Sequence, residues 1–166
     1  IDEGTKGVLR VFLSSTFRDL EDERAELLRE IGGAFKAVGM EVFIPAGEPS
    51  QRVALDELSR CDVVVFLISS YYGSDIDSCV YKERCKANCG MKTGEEKISY
   101  TWCEYRFSLA EKKPHMCYII DETWPSRDGA SKLWKFRDEM ESEEFCARIR
   151  RGGESVRKVL KDLISN

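Results

Sequence analysis

The chain has 166 residues, of which 42% are hydrophobic, and this length and composition suit one compact domain with a sizeable core. Its formal net charge of −4 argues against bulk binding to nucleic acid phosphates. The longest purely apolar run, residues 63–68, is too short to span a bilayer, and no charged-then-apolar leader opens the chain. We therefore expect a cytoplasmic protein that binds neither membranes nor nucleic acids.

Cysteine and histidine usage narrows the chemistry further. The seven cysteines indicate reduced thiols in a cytosolic setting, and Cys61, Cys117 and Cys146 are interpreted as small core residues. His115 is the one histidine, which removes most Ser/His/Asp and Cys/His nucleophile schemes. The sequence has no Walker phosphate loop and no G-x-G-x-x-G motif. The phosphate-loop ATPase and standard dinucleotide-fold classes therefore drop out.

Strands and helices are predicted to alternate along the chain. Apolar runs rich in β-branched residues predict strands, and apolar residues at helical spacing between them predict helices. The predicted strands cover 8–13, 41–45, 63–68, 116–120 and 147–149. The predicted helices cover about 20–37, 51–60, 101–113, 133–140 and 156–163. Asp19 is expected to cap the first helix and Gly39 to end it.

This alternation requires right-handed crossovers and a mainly parallel sheet between helix layers. We predict a single α/β domain over residues 1–166, with a flavodoxin-like three-layer fold and five parallel strands in the order 2-1-3-4-5. Residues 75–97 form a polar insertion within this domain. They are too many for a simple connector, so they are either a lid or a separately stabilised knuckle.

Polar and aromatic residues follow several of the predicted strands. Ligands of open α/β sheets bind at the carboxyl ends of the strands, so these residues are candidates for binding a substrate. They are Ser14, Ser15 and Thr16 after the first strand, Glu48 after the second, Tyr71, Tyr72 and Gly73 after the third, and Asp121 after the fourth. Arg24 lies in the apolar stripe of the first helix, where it either snorkels at the sheet edge or points towards a carboxylate or phosphate in the site.

The stretch around Glu104 allows two interpretations. Thr101 and Glu104 are three residues apart at the front of a predicted helix, which is the spacing of a capping box. The same helix starts at the carboxyl-end edge of the sheet, where a carboxylate is well placed for chemistry. The helix dipole is expected to keep that carboxylate ionised. Ser99 and Trp102 flank the helix start and are further candidates for contacting a substrate.

The insertion carries three cysteines, Cys79, Cys85 and Cys89. With Cys103 or His115 as a fourth ligand, these thiols could bind zinc. Their spacings, five and three intervening residues, are not those of a familiar zinc knuckle. Free surface thiols, or a disulfide formed during crystallisation, are the alternatives. No cofactor other than this zinc is expected.

Four ordered motifs stand out, “VFLSSTFRDLEDERAELLREI”, “FIPAGEPS”, “CDVVVFLISSYYGS” and “ISYTWCEYRFSLAEKKP”. Together they resemble a TIR-like domain of unknown function (family 4062), which often stands at the front of larger STAND-type signalling ATPases. The resemblance covers most of residues 8–165, although the stretch 75–97 is longer than in that family. It implies other domains of a longer chain as partners, and self-association.

The resemblance extends to TIR domains and nucleoside deoxyribosyltransferases. Both groups use a glutamate near the start of the equivalent helix to cleave an N-glycosidic bond. Residues 99–104, “SYTWCE”, are similar to the Ser-x-x-Trp-Cys stretch of TIR domains, in which the glutamate comes about two residues later. The spacing of Thr101 and Glu104 is closer to the deoxyribosyltransferase pattern. The resemblance thus implies a catalytic role for Glu104.

The implied activity is that of an NAD(P) glycohydrolase or a deoxyribosyltransferase-like hydrolase. The leaving group of a nicotinamide nucleotide is already cationic, so an ionised carboxylate that stabilises an oxocarbenium-like sugar is the main requirement. Tyr71, Tyr72 or Trp102 would stack on the base, and residues 14–16 would hold ribose or phosphate.

Two other functions are compatible with the same residues. One is a non-catalytic self-association module, with the loops around Glu48 and Trp124 as contact surfaces. The other is nucleotide sensing without turnover.

Overall fold

A computed structural model of the chain describes residues 8–39 and 50–165. The strands in these ranges are β1 (Arg10–Ser15), β2 (Lys36–Val38), β3 (Val63–Ile68), β4 (His115–Ile120) and β5 (Cys146–Ile149). The helices are α1 (Glu21–Ile31), α2 (Ser50–Ser59), α3 (Tyr100–Ala110), α4 (Ser131–Glu143) and α5 (Gly153–Ser165). A single 3₁₀ turn, Gly90–Lys92, lies in the insertion.

The strands form one five-stranded sheet in the order β2-β1-β3-β4-β5, and every neighbouring pair is parallel. This confirms the predicted flavodoxin-like α/β fold and strand order. Strand β1 runs two residues beyond its predicted end, because its pairing with β3 continues through Ser14 and Ser15. These two serines therefore lie in the strand instead of after it, and their side chains point to opposite faces of the sheet.

Helices cover both faces of the sheet and create two cores. On one face, α1 and α5 bury residues such as Leu27 and Val159. On the other face, α2, α3 and α4 bury residues such as Leu55 and Phe136 against Phe66 of β3. Strand β3 is thus covered on both sides, as its uninterrupted apolar run predicts. None of the helices in the described ranges combines the length and apolar character needed to cross a membrane.

The first helix is shorter than predicted. It ends at Ile31 with Gly32 as its C-cap, whereas the sequence pattern predicted a helix to Ala37 and an end at Gly39. Glycine is a poor helix former, and two glycines in a row at 32 and 33 stop the helix here. The residues that follow pair with β1 as strand β2. The strand predicted at 41–45 lies outside the described residues.

The insertion at 75–97 packs into the domain and is neither a free lid nor a separate knuckle. Its two ends pair, since Asp75 and Ser99 form an antiparallel bridge and the amide of Ile76 donates to the carbonyl of Ile98 at 2.9 Å. Tyr81 is buried in the same core as α2 and α3. This core therefore includes the insertion.

Candidate functional site

The carboxyl end of β1 brings together a carboxyl group and a guanidinium group from opposite faces of the sheet. Ser14 faces α3, and its hydroxyl donates a hydrogen bond to Oε1 of Glu104. Ser15 faces α1, and its Oγ accepts from Nη1 of Arg24 at 2.7 Å. The alternation of side chains along a strand explains why adjacent serines serve different helices. Ser14, Arg24 and Glu104 are each at most 4% exposed.

Burial dominates the electrostatics of Glu104. Loss of solvent raises the pKa of this carboxyl group to about 7, although the Ser14 hydrogen bond and the charge of Arg24 act to lower it. Sequence reasoning expected the helix dipole to keep the carboxylate ionised. Burial instead raises the pKa to about 7, so the protonated and ionised forms are both populated at neutral pH. The group is poised to exchange a proton in the physiological range.

The capping box predicted for α3 is absent. The helix begins at Tyr100, and its N-cap is Ser99, whose side chain accepts a hydrogen bond from the amide of Trp102 at 3.2 Å. Thr101 is therefore already inside the helix. Glu104 is its fifth residue, too far along to reach back to the cap, since a capping-box carboxylate stands at the third position. The capping interpretation of Glu104 is excluded.

Asp19 also does not cap a helix. The N-cap position of α1 is Leu20, and no side chain there accepts a capping hydrogen bond. Instead, the Asp19 carboxylate accepts hydrogen bonds from the hydroxyls of Thr16 and Ser69. Asp19 thus joins the loops after β1 and β3, which border the site.

A cleft of about 300 Å³ opens at the carboxyl edge of the sheet. Its walls come from the loops after β1 and β3 and from the start of α3. The lining residues are Ser15, Thr16, Phe17, Arg18, Tyr71, Tyr72, Gly73, Ser74, Ser99, Tyr100 and Thr101. Six of the residues predicted for substrate binding are in this set. The structure therefore brings most of the sequence-predicted site together.

Gly73 allows the loop after β3 to approach the loop after β1. Its φ is +88°, in a region that L side chains rarely adopt, and an added Cβ would lie 2.9 Å from Cγ2 of Thr16. Next to it, the hydroxyl of Tyr72 donates to Oδ1 of Asp75 at 2.7 Å. This hydrogen bond holds the Tyr72 ring edge-on to Trp102, with ring centroids 6.4 Å apart.

Other predicted site residues lie outside the cleft. Trp102 is in the core, stacked on Phe136 at 5.4 Å, and the Arg106 guanidinium lies 4.9 Å from the centroid of the indole ring. A base therefore finds no free indole face there. Asp121 is exposed after β4 and does not line the cleft. Glu48 lies outside the described residues.

Glu104 does not line the cleft either, but residues next to it and to its partner Ser14 do. Thr101, one helical turn before Glu104, lines the cleft, and so does Ser15, the neighbour of Ser14. The hydrogen-bonded pair of Ser14 and Glu104 is thus next to the cleft without lining it. Arg24, on the other face of the sheet, contacts the cleft-lining residue Ser15 through its hydrogen bond.

Several lining residues were missed by the sequence reasoning. They are Phe17, Arg18, Ser74, Tyr100 and Thr101 as a cleft residue. Phe17 is 49% exposed and Tyr71 41% exposed, so both aromatic rings are open to a ligand. The available signal was adjacency in the sequence, because each missed residue except Arg18 directly follows or precedes a predicted one, and Arg18 is two residues from Thr16.

The cysteines of the insertion converge on a second, much smaller cavity. Cys79, Cys85, Cys89 and Cys103 all line a space of about 20 Å³. The side-chain amide of Gln51 donates to the sulfur atoms of both Cys79 and Cys103, each at 3.4 Å. His115 does not line this cavity. Of the two fourth ligands considered, the position favours Cys103, and zinc binding here remains a prediction.

The architecture and the site together define a flavodoxin-like α/β domain with a polar, aromatic-flanked cleft at the carboxyl edge of its sheet. A family model described as "Domain of unknown function (DUF4062)" matches residues 10–164. The chain belongs to this family. No curated protein matches the chain significantly.

Proposed function

We propose that the domain binds a nucleotide such as NAD in the cleft and cleaves its N-glycosidic bond with the help of Glu104. The observation that carries this proposal is a buried carboxyl group, with a pKa raised to about 7 by burial, one helical turn from the cleft-lining residue Thr101. Burying an ionisable group costs stability unless it is fully compensated. Strongly perturbed carboxyl groups beside clefts are typical of functional sites.

The cleft has the size and chemistry that a nucleotide requires. Its volume of about 300 Å³ is at the lower end of the range for small-molecule sites. The exposed rings of Phe17 and Tyr71 offer stacking surfaces for a base. Hydroxyl groups of Ser15, Thr16 and Thr101 line the same space and suit ribose and phosphate oxygens.

The reaction needs few participants. The C1′–N bond breaks with its electron pair leaving on the base, and with nicotinamide this neutralises the positive ring. The ribose becomes oxocarbenium-like, and the ionised form of Glu104 stabilises this charge in a site with little water. Water then adds to C1′ and releases one proton. The products are the free base and the hydrolysed sugar nucleotide.

In this proposal a ribose hydroxyl replaces the Ser14 hydroxyl as the hydrogen-bond donor to Glu104. The exchange keeps the buried carboxylate hydrogen-bonded, and this limits the free-energy cost of displacing the Ser14 hydroxyl. It also requires the substrate to pass between Ser15 and Thr101, which line the cleft. These two residues are next to Ser14 and Glu104.

The test is product analysis with NAD and a panel of related nucleotides, followed by chromatography of the released base. Because self-association is expected for this class, turnover should be measured over a range of protein concentrations. Wild type should release the base, and its kcat/KM should rise with pH through about 7, where Glu104 ionises. Glu104→Gln should lose at least about a hundredfold in kcat, the scale of a lost electrostatic stabiliser.

Glu111→Gln is the matched control, because Glu111 stands at the other end of the same helix. This variant should keep wild-type turnover. If both variants are equally active, Glu104 has no part in catalysis. If no nucleotide in the panel is cleaved at any protein concentration, the hydrolase proposal fails.

Nucleotide binding without turnover is the second candidate, and one observation favours it. Glu104 is buried and does not line the cleft. Isothermal titration separates the two functions, since a sensor should bind a nucleotide with similar affinity in wild type and Glu104→Gln while releasing no base.

A further inference from the structure

A second cluster of reactive side chains lies at the opposite end of the sheet, where β4 and β5 begin. His115 and Cys117 are two residues apart on β4, and Cys146, the first residue of β5, is two residues after Glu144, the extended C-cap of α4. Cys117 and Cys146 are paired in the parallel register. Residues two apart on a strand share a face, so the four side chains form a square on one face of the sheet.

The potential ligand atoms of this square are close together. His115 offers a ring nitrogen, Cys117 its sulfur and Glu144 a carboxylate oxygen, and these three atoms all lie within 4.8 Å of one another. Nε2 of His115 is 2.5 Å from Oε2 of Glu144. The sulfur of Cys146 lies outside this compact group, and its thiol donates to the backbone carbonyl of Glu144 at 3.9 Å. Within residues 8–39 and 50–165, no other group of three such ligand atoms is this compact.

The orientation of His115 suits a metal ligand. Its Nδ1 hydrogen-bonds to the backbone carbonyl of Lys113 at 2.7 Å, and its ring is held edge-on by Phe66 and Tyr105 at centroid distances of 6.2 and 6.4 Å. Ligating histidines almost always donate their other ring N–H to such a carbonyl, which directs the free nitrogen at the metal.

A simpler explanation is an ion pair between a protonated His115 and Glu144. That pair accounts for both hydrogen bonds of the imidazole. Cys117 and Cys146 beside this pair pack in the core as small residues, and neither is in a disulfide, so the ion pair leaves both sulfur atoms available as ligands. A nitrogen, two sulfurs and a carboxylate oxygen are the ligand types that zinc binds.

We propose that His115, Cys117 and Glu144 bind one Zn²⁺ ion and that the side chain of Cys146 rotates to supply the fourth ligand of a structural site. Binding displaces the protons of both thiols and replaces the hydrogen bond between His115 and Glu144. The ion would tie β5, the edge strand of the sheet, to β4. The zinc site is remote from the cleft, so the zinc proposal does not depend on the hydrolase proposal.

The first experiment needs no variants. The chain is purified without chelators, its zinc content is measured, and the zinc-loaded protein is examined by X-ray absorption. The proposed site predicts about one zinc per chain with two sulfur ligands near ~2.3 Å and two nitrogen or oxygen ligands near ~2.0 Å. Four sulfur ligands would overturn it and place the ion at the four-cysteine cavity of the insertion.

Variants provide the second experiment. His115→Asn and Cys117→Ser should each weaken Zn²⁺ binding by more than roughly tenfold, since even outer-shell partners of a metal cost 10–100-fold. Cys85→Ser, from the insertion cavity, is the matched control and should retain wild-type zinc. Circular dichroism of each variant confirms that it is folded before zinc is counted.

The same series can contradict the proposal in two ways. The site is excluded if wild type binds neither Zn²⁺ nor Co²⁺ when these ions are supplied under reducing conditions. It is equally excluded if Cys85→Ser loses the zinc while Cys117→Ser keeps it. Addition of a chelator should lower the melting temperature of wild type and leave that of His115→Asn unchanged.

Discussion

Glu104 is a single residue at which stability and ionisation oppose each other. Burial raises its pKa to about 7, whereas an unfolded glutamate titrates near ~4.5. Between these two values the unfolded chain has lost its proton while the folded chain still holds it. Stability therefore falls as pH rises through this window and levels off above about 7, by about 3 kcal/mol in total.

Glu104→Gln should remove this pH-dependent cost. Glutamine cannot ionise, so the variant should resemble wild type in urea unfolding at pH 4.5, apart from a constant offset from its altered hydrogen bond to Ser14. At pH 8 its free energy of unfolding should exceed that of wild type by a further ~3 kcal/mol. Glu111→Gln should show no such divergence. A Glu104→Gln offset that is the same at both pH values would mean that Glu104 is not held protonated in the folded state.

At the scale of elements, the start of α3 shows how tertiary context selects a cap. Ser99 and Thr101 both offer hydroxyls, and the sequence alone favoured Thr101 because of its spacing to Glu104. The antiparallel bridge from Asp75 holds Ser99 extended, with φ −73° and ψ 165°, which is the backbone conformation of an N-cap. Ser99 therefore caps the helix, and Glu104 is left free for another role.

Ser99→Ala should destabilise the domain by ~1 kcal/mol, the usual cost of a lost N-cap. Thr101→Val removes a hydroxyl but keeps the shape of the side chain, so it should cost less than Ser99→Ala. Urea unfolding of both variants at one pH provides the comparison. A larger loss for Thr101→Val would restore Thr101 as the cap and would contradict the observed hydrogen bond from Trp102 to Ser99.

The sequence predicted the helices and strands well where local residue patterns determine them. It predicted poorly the features that depend on pairing between strands. The apolar run of β3 and the alternation of strands and helices predicted the parallel sheet and its order, both confirmed. The pair of glycines after Ile31 was a local signal that the predicted helix overran. The square of His115, Cys117, Glu144 and Cys146 could not be foreseen, because it exists only through the register between β4 and β5.

The residues of the candidate site likewise fall into those that the sequence predicted and those that it did not. Cleft residues such as Thr16 and Tyr72 were predicted because parallel strands place their carboxyl ends at one edge. Trp102 was expected to stack on a base, but it is buried in the core against Phe136, as its place in the apolar stripe of α3 indicates. The contacts of Ser14 with Glu104 and of Ser15 with Arg24 depend on β1 extending beyond its predicted end.

At the scale of the whole molecule, Arg151 joins three segments that are far apart in sequence. Its guanidinium forms a two-pronged pair with Glu122 after β4, at 2.6 and 3.0 Å. Its Nη1 also donates to the backbone carbonyl of Asp19, ahead of α1, at 2.6 Å. Glu122 in turn accepts from the amide and hydroxyl of Ser70 after β3. These hydrogen bonds connect the loops at the carboxyl edge of the sheet to one another.

The pKa of Glu122 reflects its interactions with Arg151 and Ser70. Burial acts to raise its pKa, but the hydrogen bonds from Arg151 and Ser70 outweigh burial and lower the pKa to about 2. A lowered folded pKa means that the carboxylate stabilises the fold above about 4.5, the unfolded value. This contribution is lost as pH falls from there towards 2. The ion pair of Glu122 with Arg151 is therefore expected to stabilise the fold at neutral pH, and this stabilisation is expected to disappear in acid.

Arg151→Ala should cost about 1 kcal/mol of unfolding free energy at pH 7, since the guanidinium is partly exposed and its pairs are screened by solvent and salt. The cost should shrink as pH falls from about 4.5 towards 2, because Glu122 then takes up a proton in both states. Arg29→Ala removes an exposed arginine whose pair, Glu30, is its chain neighbour, and should show neither the loss nor its pH dependence. Urea unfolding of both variants at pH 7 and pH 3 makes the comparison. An Arg151→Ala cost that is equal at the two pH values would show that Arg151 acts through its contact with the Asp19 carbonyl and not through the charge of Glu122.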